Sequence, residues 1–119
     1  MQRVVLTGNQ SCKVIRKKVA CKSECVIKAV VVSDCPGSSY ELLVNGKRVG
    51  GHTFKDPGVD GVEVAVKGNR LDIALELYKG NGDTKFEYVL DVKGGVDVDD
   101  FVSGLIGVIV DAVWRKVIG

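Results

Sequence analysis

Between Val62 and Val92 the apolar residues fall on every second position: Val62, Val64 and Val66, then Leu71, Ile73, Leu75 and Leu77, then Phe86, Tyr88, Leu90 and Val92. A two-residue period gathers the apolar side chains of a strand on one face and leaves the other to solvent, so these rows predict half-buried antiparallel strands. Gly68-Asn69 and Gly80-Asn81-Gly82-Asp83 separate them. Both segments are rich in residues that tolerate positive φ, and both predict tight turns that fold each row onto the one before.

A meander of this kind fixes a register. Leu75 then faces Tyr88 and Leu77 faces Phe86, which sets Asp72 opposite Asp91 and Glu76 opposite Glu87 on the outer face. Like charges on directly facing positions repel. Asp72, Glu76, Glu87 and Asp91 therefore form a candidate acidic patch for a cation or a basic partner surface, unless Lys67, Arg70, Lys85 and Lys93 neutralise it diagonally.

Upstream, residues 2–7 and 12–20 read as two strands, and 24–33 as a near-continuous apolar one, predicted to be central and buried on both faces. Cys35-Pro36-Gly37-Ser38 is a turn. Residues 40–44 and 47–54 flank Asn45-Gly46, the strongest hairpin signal in the chain, and Asp56-Pro57-Gly58 is a loop. Lys13, Arg16, Lys17 and Lys18 load the second strand with charge and make a candidate basic patch. Nucleic-acid binding through it is a weaker alternative, because no aromatic residues interleave with the basic ones to stack on bases. Cys25-Val26-Ile27-Lys28-Ala29-Val30 followed by Tyr40-Glu41-Leu42-Leu43-Val44-Asn45-Gly46-Lys47 resembles strand pairs in the β-sandwich family called Fas apoptotic inhibitory molecule. That resemblance implies a sandwich-type strand pairing and no activity.

The C-terminal segment changes period. Asp97, Asp99 and Asp100 suit a helix start, and Arg115 and Lys116 suit its last turn, so a helix over 98–117 is predicted. Its polar stripe is narrow. Phe101, Leu105, Ile109, Val113, Trp114 and Val117 belong to an apolar arc wider than one sheet face covers, which predicts packing on the sheet with part of the arc left for a second subunit or a membrane surface. Asp111 breaks the run well short of the roughly 20 residues a membrane span needs.

The chain of 119 residues suits a single domain, β-rich over 1–95 and helical over 96–119. With 45% hydrophobic residues, 15 glycines and only 2 prolines it reads as globular rather than disordered. Net charge is +2, made of ten Lys/Arg against five Asp/Glu in residues 1–60 (+5) and seven against ten in 61–119 (−3). Such asymmetry can steer one copy onto another. Met1 to Gly8 is too short and polar for a signal peptide, so an intracellular or virion setting is expected; abundant valine and lysine with sparse glutamine hint at a thermophile.

Cys12, Cys21, Cys25 and Cys35 permit one or two disulfides or buried thiols. Zinc is not expected, because Cys21-x₃-Cys25 with Cys12, Cys35 or His52 lacks the paired Cys-x₂-Cys knuckles of a strong site. The lone His52 has no local nucleophile or acid–base partner. The expected protein is thus a mainly β, antiparallel β-sandwich or curved sheet of seven or eight strands with one C-terminal helix packed on it. It would be a non-catalytic structural or interaction module, without cofactor, that self-associates through the helix or sheet edges as a homo-oligomer or with a protein partner. A β domain holding a small apolar ligand is the alternative.

Overall fold

The computed structural model describes residues 1–97, and all of the regular structure there is strand. The strands are β1 (Gln2–Leu6), β2 (Cys12–Ser33), β3 (Ser39–Val44), β4 (Lys47–Thr53), β5 (Gly58–Lys67), β6 (Arg70–Tyr78) and β7 (Thr84–Asp97). They make one antiparallel sheet in the order β1-β7-β2-β6-β3-β4, with β5 also paired to β2. The expected helix, with Phe101, Leu105, Ile109, Val113, Trp114 and Val117, lies outside the described residues. β7 runs through Asp97, two residues past the expected boundary at 95. No helix long and apolar enough to cross a membrane occurs among the described residues.

The strands expected over 12–20 and 24–33 are one strand, and it is bent. β6 ends with Tyr78 beside Cys12, and five residues later β7 has begun, with Phe86 beside Ser33. A straight 22-residue strand spans about 70 Å, whereas the connection over 79–83 bridges at most about 20 Å. The two ends of β2 are therefore brought together, and its halves lie in facing leaves. The first leaf is β4-β3-β6 with residues 12–20 of β2; the second is β1-β7 with residues 24–33 of β2, then β5.

The bend sits where the β2–β7 register slips between Cys21 and Val26. A Cys21–Cys25 disulfide staples it, with Cα atoms 6.1 Å apart. β7 follows the corner through Gly94 and Gly95. Gly94 has φ +90° and a Cβ there would lie 2.7 Å from the Glu24 carbonyl oxygen, while one on Gly95 would strike Val19. Only glycine fits both demands.

β5 and β6 do not form a hairpin. Both run antiparallel to β2 on the same edge, β5 along residues 24–33 and β6 along 12–20, so Gly68-Asn69 joins two lengths of one broken line. The Asn69 carbonyl accepts from the Cys21 N–H at 2.9 Å at the corner. β6 and β7 do not pair either; both pair with β2. The expected meander is replaced by strands ranged around a shared partner. The reason is that alternation fixes which face a residue occupies and says nothing about which strand lies beside it.

The faces follow the pattern. Leu71, Ile73, Leu75 and Leu77 of β6, Tyr40 and Leu42 of β3, Ile27, Ala29 and Val31 of β2 and Phe86 of β7 meet between the leaves. β2 is central in its second half, as expected, but buried on one face only. Cys25, Ile27, Ala29, Val31 and Ser33 are buried while Val26, Val30 and Val32 are half-exposed and Lys28 is exposed.

A candidate interaction surface

The interior leaves little chemistry unspent. Tyr40, buried in β3, donates its hydroxyl to Asp60 Oδ2 of β5 at 2.5 Å, and His52 Nδ1 of β4 stands 3.9 Å from Asp60 Oδ1. Burial first, then the hydrogen bond to Asp60, push the Tyr40 hydroxyl well above its ordinary pKa. His52 also meets Phe54 edge-on, with ring centres 5.0 Å apart. These contacts tie the first leaf to the second where the β4 and β5 edges meet without a ladder. Gly50 makes that approach feasible, since a Cβ there would lie 2.7 Å from Val62. At the other flank Lys17 reaches between the leaves and donates to the Leu90 carbonyl at 3.4 Å.

The outer faces distribute charge differently from the expected pattern. The acidic ladder of Asp72, Glu76, Glu87 and Asp91 does not form, because β6 and β7 are not neighbours. Asp72 lies opposite Lys18, Asp91 opposite Lys28, and Glu87 opposite Arg3, with Arg3 Nη2 3.3 Å from Glu87 Oε2. Glu76 is the exception. It faces Val14 and Glu41. Glu41 has Arg48 at 3.7 Å, and Tyr78 donates to Glu76, a bond that raises the tyrosine to about 12.

The basic patch is split as well. Consecutive residues of a strand point to opposite faces, so Arg16 and Lys18 face outward while Lys17 points in toward Leu90. Lys13, Arg16, Lys17 and Lys18 do not share a surface. Of the cysteines, Cys21 and Cys25 are bonded, Cys12 is an exposed thiol, and Cys35 is buried with its Sγ donating to the carbonyls of Pro36 and Gly82. No group of three or more potential metal ligands occurs among the described residues.

The outer face of the second leaf carries an apolar patch that nothing in the sequence pattern marked. Val5 of β1 is 45% exposed and Val59 of β5 is 65% exposed. Between them Val32 of β2 and Pro57 line an open groove of about 830 Å³ together with Arg3, Asp34, Lys85 and Glu87, and Glu87 of β7 stands in the row between Arg3 and Val32. Val30 and Val89, paired across β2 and β7, extend the patch along the leaf. The two-residue period marks the inner rows and leaves the outer valines unmarked. The signal for them was the excess of valine at Val26, Val30 and Val32, which had suggested burial on both sides.

No family model matches the chain, and no curated protein matches it. Among solved structures the chain is similar to a carbohydrate-binding module, described as CBM36 in complex with calcium and xylotriose. The two share 16% sequence identity over 71% of this chain and 78% of that one, with a TM-score of 0.34.

Proposed function

We propose that this chain is a non-catalytic interaction module whose docking surface is the outer face of the second leaf, around Val5, Val32 and Val59. The observation that carries it is the exposure of Val5 and Val59 beside an open groove that Val32 and Pro57 line together with Arg3, Asp34, Lys85 and Glu87. Exposed apolar side chains set among charged ones in this way are characteristic of protein-binding surfaces. The charged residues along the leaf are offset within the chain, Arg3 by Glu87 and Lys28 by Asp91, so little of the face is reserved for a polyanion.

A catalytic reading finds no support in the same residues. His52 is directed at Asp60 and Phe54, and Asp60 is held by Tyr40, so the one histidine–carboxylate pair joins the leaves and activates no nucleophile.

Light scattering of the full-length protein over a concentration series tests the proposal, with Val5→Lys as the comparison. The wild type should associate, and the variant should lose most of that association while keeping its β spectrum. A wild type that remains monomeric at every concentration, or a variant that associates as the wild type does, would overturn self-docking through this face.

A further inference from the structure

Among the described residues several strand edges lack a ladder, and they differ in how they are guarded; residues 12–18 of β2, paired only with β6, turn Lys17 in toward Leu90. β4 and β5 block each other: Gly50 of β4 rides against Val62, His52 and Tyr40 reach Asp60, and the β3–β4 ladder slips between Leu42 and Leu43. β1 has none of these protections. Its five residues pair with β7 without a register shift, and among the described residues nothing pairs along its other side. Natural edge strands are normally guarded by proline, bulges or inward-pointing charge. β1 carries no proline and no bulge, and its one charge, Arg3, lies on the outer row against Glu87.

Resting on the docking-surface reading, we infer that β1 pairs antiparallel with β1 of a second copy, extending the second leaf across a twofold axis into one continuous sheet. A residue-centred twofold axis can pair the strand with itself. A twofold axis at Val4 sets Val4 against Val4 of the second copy, Gln2 against Leu6, and Arg3 against Val5. Each Arg3 keeps its own Glu87 and lays its aliphatic stem over the exposed Val5 of the other chain. An axis one residue earlier would set Arg3 against Arg3, a like-charge pair on directly facing positions. The twofold register therefore has a charge argument for it, and it makes every contact twice.

The experiment exploits the contact between Arg3 and Val5. In this register a charge at position 5 faces Arg3 of the other chain, so its sign decides the outcome. Val5→Glu should tighten the association measured by sedimentation, and Val5→Lys should loosen it, each by about 2- to 10-fold in dissociation constant. Arg3→Glu combined with Val5→Lys should restore the wild-type value. Any interaction of the new side chain with Lys85, its neighbour on β7, is common to the free and paired chain and cancels. Equal loosening by both signs would overturn the Val4-centred pairing while leaving the apolar docking surface standing. No change in either variant, while Val59→Lys abolishes association, would place the contact away from β1. A strictly monomeric wild type would overturn both readings.

Discussion

Removing one oxygen atom from Tyr40 tests whether the leaves are held by the contact across the β4–β5 seam. Tyr40→Phe keeps the buried ring and its packing against Phe54, and deletes the hydroxyl that donates to Asp60. A hydrogen bond to a charged group contributes about 1.5–3 kcal/mol. The Asp60 side chain is 32% exposed, so water can recover part of what it loses, and the lower end, about 1.5 kcal/mol, is expected. Urea unfolding at pH 7 should show a lower midpoint with an unchanged slope. In a cycle with Asp60→Ala, about 1 kcal/mol of coupling should appear. The alkaline limb gives an independent check. Burial and Asp60 raise the Tyr40 hydroxyl above its ordinary value of 10.0, so the stability it confers is fully present below that pH and is lost as pH rises past it. Between pH 9.5 and 10.5 the wild type should lose about 0.7 kcal/mol relative to Tyr40→Phe, in which this titration is absent. Additive effects of Tyr40→Phe and Asp60→Ala, or a pH-independent gap between wild type and variant, would refute the reasoning.

The same seam predicts that Gly50→Ala destabilises by about 1–3 kcal/mol, because the new Cβ meets the Val62 side chain at 2.7 Å, and that adding Val62→Ala restores part of the loss. At the corner of β2, replacing Cys21 and Cys25 together with serine should lower unfolding stability by about 2 kcal/mol, the chain-entropy value for so short a loop. Alkylation without reductant should label Cys12 at once and Cys35 only on unfolding, while Cys21 and Cys25 stay protected; four labels on the unfolded, unreduced chain would remove the disulfide.

How far the fold was legible depended on what kind of information alternation carries. The inner rows were written plainly, and Leu71, Ile73, Leu75, Leu77 and Phe86 all sit in the core. The hairpin at Asn45-Gly46 was legible too, and its residues adopt φ of 53° and 82°, the left-handed pair a two-residue turn requires. Gly68-Asn69 looked equivalent on paper, yet neither residue has positive φ, and the chain goes straight on along β2. What separates the two sites is the corner in β2 beside which Gly68-Asn69 passes, a tertiary feature held by Cys21, Cys25 and the Gly94-Gly95 step. Without that corner one strand reads as two, and β6 and β7 read as neighbours. The acidic patch depends on that pairing. The groove beside Val5 and Val59 joins residues from β1, β2, β5 and β7, which no local window could bring together.

The outer-face charges argue for the observed pairing over the meander. In the meander Asp72 would face Asp91 and Glu76 would face Glu87, each contact unfavourable by up to about 1 kcal/mol. Ranging the strands around β2 sets Lys18 against Asp72 and Lys28 between Asp91 and Glu63, and β1 brings Arg3 to Glu87. Exposed pairs of this kind contribute little to stability one by one, so their larger effect is on which strands lie side by side. The cationic first half of the chain and the acidic second half thus find each other within one molecule: β1 and β2 supply the bases, and β5, β6 and β7 the acids. With its charges matched internally, the second leaf leaves valines at its surface and, among the described residues, an edge of β1 to which no strand is paired.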